Sequence, residues 1–222
     1  MCRWLIATFA AATSLLSTQA QSDPVRQDFR FRVGDRELTM PVPGSYCEPS
    51  GQAAAVAQVI ASADKANTTV ATFNACNRNP SVSPFDEYVL LKVVNGALLG
   101  HFEKTDTLNQ IDPVFQSPDM PKFSDQAQAD VEKGFGEVLG QKPVMTFKIS
   151  YMGRDSDCIY LFGNGTVGLN GTTGRGIMVG CMTVAASKLL TVYSYRFTPG
   201  SKVADVKAQA LAIARSINAA AP

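Results

Sequence analysis

At 222 residues, 45% hydrophobic and 18% charged, the chain has the apolar content to bury a core, which excludes extended disorder. Its 20 Lys and Arg stand against 19 Asp and Glu, so it lacks the basic excess expected of a partner for nucleic acid or an anionic membrane. A chain of this length is expected to form one domain.

Residues 1–20 read as a secretory signal: basic Arg3, an apolar stretch from Leu5 to Leu16, and a small-residue exit at Thr18-Gln19-Ala20. The apolar stretch is too short and too rich in Thr and Ser to span a bilayer. Cleavage after Ala20 removes Cys2 and Arg3, leaving residues 21–222 with equal numbers of acidic and basic side chains. The expectation is a periplasmic or secreted protein with no stable membrane insertion once the signal is gone.

Phe29–Val33 and Arg36–Met40 alternate apolar and polar residues around Gly34-Asp35, which predicts a hairpin. The prolines of Pro41-Val-Pro43 then take the chain out of the sheet. From Ser50 as N-cap, Val56, Val59, Ile60 and Ala63 share one face of a helix predicted to end near Asn67. Thr69–Phe73 and Tyr88–Val94 follow as strands. Asn95-Gly96 predicts a hairpin whose return segment is 97–102. Residues 104–122, polar and interrupted by proline, read as a long surface loop, and Ser124 as the opening of a helix with Ala127, Val131, Phe135 and Val138 inward. Phe147–Tyr151 and Lys188–Phe197 are strand-like. Pro199-Gly200-Ser201 stops the last strand and caps a final helix striped by Val203, Val206, Ala210, Ile213 and Ile217.

Four cysteines remain after the signal: Cys47, Cys76, Cys158 and Cys181. In an oxidising compartment these are expected as disulfides. Cys158 and Cys181 lie on two β-like runs flanking a Gly-rich connection. A hairpin centred between Leu169 and Asn170 sets Phe162 opposite Ile177 and Cys158 opposite Cys181, which leaves Cys47 to pair with Cys76. Zinc would require closer paired ligands, so no metal is expected.

The order of elements, with the Tyr193-Ser-Tyr195 strand and the terminal helix as its clearest part, resembles the PsbP-like family of exported proteins. That resemblance implies an accessory role, attached to a larger complex, without catalysis.

Candidate chemistry is sparse. Gly163-Asn-Gly165-Thr-Val-Gly168 spells G-x-G-x-x-G, but the glycine-rich stretch after it cannot form the helix that a dinucleotide site requires. It is expected to be a hairpin tip whose free amides, with Arg175, offer an anion or carbohydrate contact. No cofactor is expected. Any catalytic triad would depend on the single histidine, His101. Asp155-Ser-Asp157 has the spacing of a carboxylate clamp if extended, and the residue types of a turn if not. Tyr193, Tyr195 and Phe197 share one strand face, where the C-terminal helix would cover them.

The expectation is an α+β fold: an antiparallel sheet packed against an early helix and a C-terminal amphipathic helix, with two disulfides. The function expected is that of an exported, non-catalytic binding or accessory protein whose partner is an envelope protein or a small ligand. The alternative is an exported hydrolase using His101 or the Asp155/Asp157 pair.

Overall fold

The computed structural model describes residues 28–76, 86–139, 144–169 and 172–221. The expected signal, residues 1–20, lies outside these. The fold is α+β, with antiparallel sheets and four helices.

Strands β1 (Asp28–Val33) and β2 (Arg36–Pro41) form the expected hairpin. Gly34 turns it at φ +58°, and a side chain there would collide with the Leu98 carbonyl. After β3 (Tyr46–Cys47), helix α1 covers Gly51–Ala63. It stops short of Asn67 because the Asp64 carboxylate accepts from the amides of Ala66 and Asn67, a local bond that competes with helix continuation.

Strands β4 (Asn67–Ala75) and β5 (Glu87–Val94) pair with each other. The hairpin expected at Asn95-Gly96 does not form. Residues Asn95–Ala97 make a single 3-10 turn, and the chain moves into α2 (Lys104–Phe115). Both edges of β5 are taken, by β4 and by β10 (Lys188–Arg196), so a return strand has nowhere to pair.

The loop expected over 104–122 is instead α2 followed by the start of α3 (Met120–Leu139). Glu103 caps α2 by accepting from the Thr105 amide, and Leu108 is fully buried with Ile111 and Phe115 packed nearby. Pro113 sits in the last turn of α2 and Pro121 in the first turn of α3, where its missing N–H leaves no hydrogen bond unmade. Ser124 is therefore inside a helix. Its hydroxyl accepts from the Ile149 amide, and Ala127 is exposed, not inward. The Phe135 and Val138 side chains lie outside the described ones. Gly134 is a contact point: a Cβ there would strike the backbone of Ala63, so its lack of side chain lets α1 and α3 touch.

Strands β6 (Val144–Met145) and β7 (Lys148–Arg154) run along one edge of β8 (Ile159–Leu169), which pairs with β9 (Thr172–Ala185), which pairs with β10. The β8–β9 register differs by two residues from the expected one: Tyr160 faces Cys181, and Phe162 faces Val179. Leu169 faces Thr172, so the ladder is centred one residue further along the chain than expected. A shift of two keeps every side chain on its face. Cys158 and Cys181 still bridge, diagonally, at a Cα separation of 5.3 Å, and Cys47–Cys76 bridges at 5.2 Å.

Helix α4 (Val203–Ser216) follows, and β11 (Asn218–Ala219) joins β2 to complete a three-stranded sheet. Lys202, not Ser201, is the residue at the N-cap. Val206, Ala210, Ile213 and Ile217 are buried as the stripe predicts. They meet Val179, Cys181 and Val192 of the large sheet in a core that also takes Phe31, Val33 and Leu38 of the small one.

Tyr193, Tyr195 and Phe197 point the other way. Ser194, between the two tyrosines, donates to Gln209 of α4 at 2.6 Å, so the aromatic side chains are on the face away from that helix. Tyr195 stacks on Tyr88 at 4.4 Å, and Phe147 and Phe197 complete the cluster.

Candidate functional site

Strand pairing places side chains in rows across the sheet, and one such row on the α4 face ends in charge at both sides. Lys148 of β7 faces Asn164 of β8, Asn164 faces Ile177 of β9, and Ile177 faces Arg196 of β10. The next row toward the Leu169 end of β8 adds Thr166 opposite Arg175. Together they form the floor of an open groove of about 650 Å³, and Thr198 to Ser201, the segment leading into α4, forms its wall.

The groove holds three cations, Lys148, Arg175 and Arg196, and no carboxylate in its lining. Among the described residues none of the three forms an ion pair. Lys148 and Arg175 are exposed. Arg196 is half-buried: one terminal nitrogen donates to Gln209 at 3.4 Å, while its buried Nε has no acceptor. Glu87, its neighbour across β5, is not in the lining and accepts from the Tyr46 hydroxyl. Hydroxyls of Thr146, Thr166, Thr198 and Ser201 supply further donors and acceptors. Such an arrangement can hold an anion with charge-assisted hydrogen bonds.

Of the glycine motif only Gly165 lines this groove, with Arg175. The motif is not a hairpin tip: all three glycines are inside β8. They serve a crossing. Between β6 and β7 the chain folds over β8, with the Thr146 amide donating to Thr166 and the Phe147 ring turned inward. A side chain at Gly163 would strike Phe147 and Met178, and one at Gly165 would strike the Thr146 and Phe147 backbone. Gly168 pairs with Val144 on one side and Thr173 on the other, outside the groove. Lys148 and Arg196 were not identified from the sequence, because each is a single charge at a strand end and only the register aligns them.

His101 belongs to a different cluster. Its Nε2 lies 3.1 Å from Asp35, whose other oxygen accepts from the fully buried Lys188 at 2.6 Å. Lys188 also donates to the carbonyls of Gly100 and Leu98, so its charge is completely engaged. The hydrogen bond from Lys188 holds the Asp35 carboxyl down, at about 2. A second depression, of about 570 Å³ beside β1 and β2, is lined by Asp35, Arg30 and Glu37 among others, and there Arg30 and Glu37 stand 4.0 Å apart.

Asp155 and Asp157 form a turn, not a clamp. Asp155 accepts from the amides of Asp157 and Cys158 and from the Tyr160 hydroxyl at 2.6 Å. Burial alone would raise its carboxyl, but these three donors outweigh it and hold it below the usual range. Asp157 is lowered chiefly by the hydrogen bond from Arg215 at 2.6 Å, with Lys104 adding to it. Lys207 sits over the Tyr160 ring at 3.8 Å.

Among the described residues no cluster of His, Cys, Asp and Glu could hold a metal ion, and no helix is long and apolar enough to cross a membrane. No protein-family model matches the chain, and no curated protein is significantly similar to it.

Proposed function

We propose that this is an exported, disulfide-stabilised binding or accessory protein of the periplasm or extracellular space, non-catalytic, whose groove beside the start of α4 takes an anionic ligand. One observation carries the reading: Lys148, Arg175 and Arg196 meet in a groove with no carboxylate in its lining, whereas Arg215, Lys104 and Lys188 each meet one. Concentrating like charges without counter-charges disfavours the folded state, and an anion relieves it. The signal-like residues 1–20 and the disulfide-bonded cysteines support export. The element order that resembles PsbP-like proteins points to attachment in preference to catalysis. His101 supports the same view, because Asp35 engages it and no Ser, Thr or Cys side chain is bonded to it among the described residues.

Thermal melting in the presence of sulfate, phosphate, citrate and acidic oligosaccharides tests the proposal. At least one anion is expected to raise the midpoint, and the shift should vanish in Lys148→Ala/Arg175→Ala. No shift with any anion would defeat it. So would hydrolysis of an ester or peptide panel that is lost in folded His101→Ala.

A further inference from the structure

Resting on that reading, we infer that the ligand is an acidic oligosaccharide, a chain of sugars bearing carboxylate or sulfate groups on successive units, laid across β7 to β10. The width of the charged row is the first reason. Lys148 and Arg196 stand on strands three pairings apart, a Cα separation of about 14 Å at the usual strand spacing. A single small oxyanion would reach both only if both side chains swung inward, and Gln209 holds the Arg196 guanidinium back toward α4. Charges distributed along a chain meet them where they are.

The chemistry between the cations is the second reason. Asn164 and Thr166 on the floor, with Thr198 and Ser201 on the wall, present amide and hydroxyl groups that exchange hydrogen bonds with sugar hydroxyls. Single-stranded nucleic acid is disfavoured, since no aromatic ring lines the groove to stack a base. An acidic peptide would gain its main-chain bonds at a sheet edge, but this groove lies on a sheet face, and β6 and β7 already pair along the outer side of β8.

The experiment is titration calorimetry of the folded protein with oligogalacturonates of increasing length, a sulfated oligosaccharide, a neutral oligosaccharide, a single-stranded oligonucleotide and inorganic phosphate. Affinity is expected to rise with uronate length and to fall roughly tenfold or more in Lys148→Glu and in Arg175→Glu, as loss of a charge-assisted contact implies. Arg36→Glu, on the distant β1–β2 hairpin, is the charge-matched control and should leave it unchanged. Phosphate binding that longer acidic sugars do not exceed, or preference for the oligonucleotide, would overturn the oligosaccharide while leaving an anion site. No binding of any anion would end both readings. The length dependence needs only the wild-type chain, so the inference stays testable if a variant fails to fold.

Discussion

The two ends of helix α4 treat charge in opposite ways. In its last turn, Arg215 bonds Asp157 through two nitrogens, Lys104 approaches the same carboxylate, and the Cys158–Cys181 bridge lies fully buried alongside. Before its first turn, Lys148, Arg175 and Arg196 share a groove with no acidic group in its lining. The same sheet face therefore carries one end built for stability and one left uncompensated. Charges that hold a fold together are paired because an unpaired buried charge is costly. Charges kept exposed and unpaired are available to a ligand.

The paired end should show the largest effects. Replacing both Cys158 and Cys181 by Ala is expected to cost about 3 kcal/mol in urea unfolding, from the loop they close and the buried volume they fill. Under mild reductant the native protein should open Cys47–Cys76 first, because Cys47 is exposed and Cys158 and Cys181 are not; peptide mapping reads the order. Lys188→Met should cost about 2–3 kcal/mol, since it leaves two carbonyls and Asp35 without their donor, and the value is held below that of a fully buried pair by solvent at Asp35.

Acid acts on the same end. Asp35, Asp155 and Asp157 all have carboxyls lowered by folding, so their stabilisation is present above the unfolded carboxylate range near pH 4 and is lost as pH falls through the folded values, about 2 for Asp35. The melting midpoint should fall over that window. Lys188→Met, which removes the donor to Asp35, should flatten part of the fall.

A smaller gain is available at the β9–β10 turn. Ala186 and Ser187 both have positive φ, at 47° and 66°, which these residues adopt only under strain. Ala186→Asn with Ser187→Gly should raise stability by about 1 kcal/mol in the same assay. The smallest effect belongs to the groove: Lys148→Ala/Arg175→Ala should change stability by no more than about 0.5 kcal/mol while removing anion binding. A large loss of stability there would mean that the two ends of α4 are alike after all.

Much of the fold was legible where local chemistry and tertiary context agree. The Gly34-Asp35 hairpin, the α4 stripe and both disulfides followed from residue pattern and spacing. Errors arose where partners decided. Asn95-Gly96 is a strong turn sequence, yet neighbouring strands on both sides of β5 deny it a return strand. Prolines 113, 118 and 121 suggested a loop, yet Pro121 falls in the first turn of α3, where a helix tolerates it, and α2 closes two residues after Pro113. The glycine motif suggested a tip, yet Gly163 and Gly165 provide clearance for Phe147 to cross a strand. Arg175 and Gly165 were visible as site residues; Lys148 and Arg196 were not, since a cation at a strand end is ordinary until its row is known.

The α+β class, the cysteine pairing and the apolar face of the last helix are readable along the chain, because they depend on periodicity, composition and short-range geometry. Which face the Tyr193 and Tyr195 rings take, which charges find partners, and that cations from β7, β9 and β10 line one groove emerge with the folded sheet. Strand register sets those outcomes, and register depends on pairings between segments far apart in the chain, which no local pattern encodes.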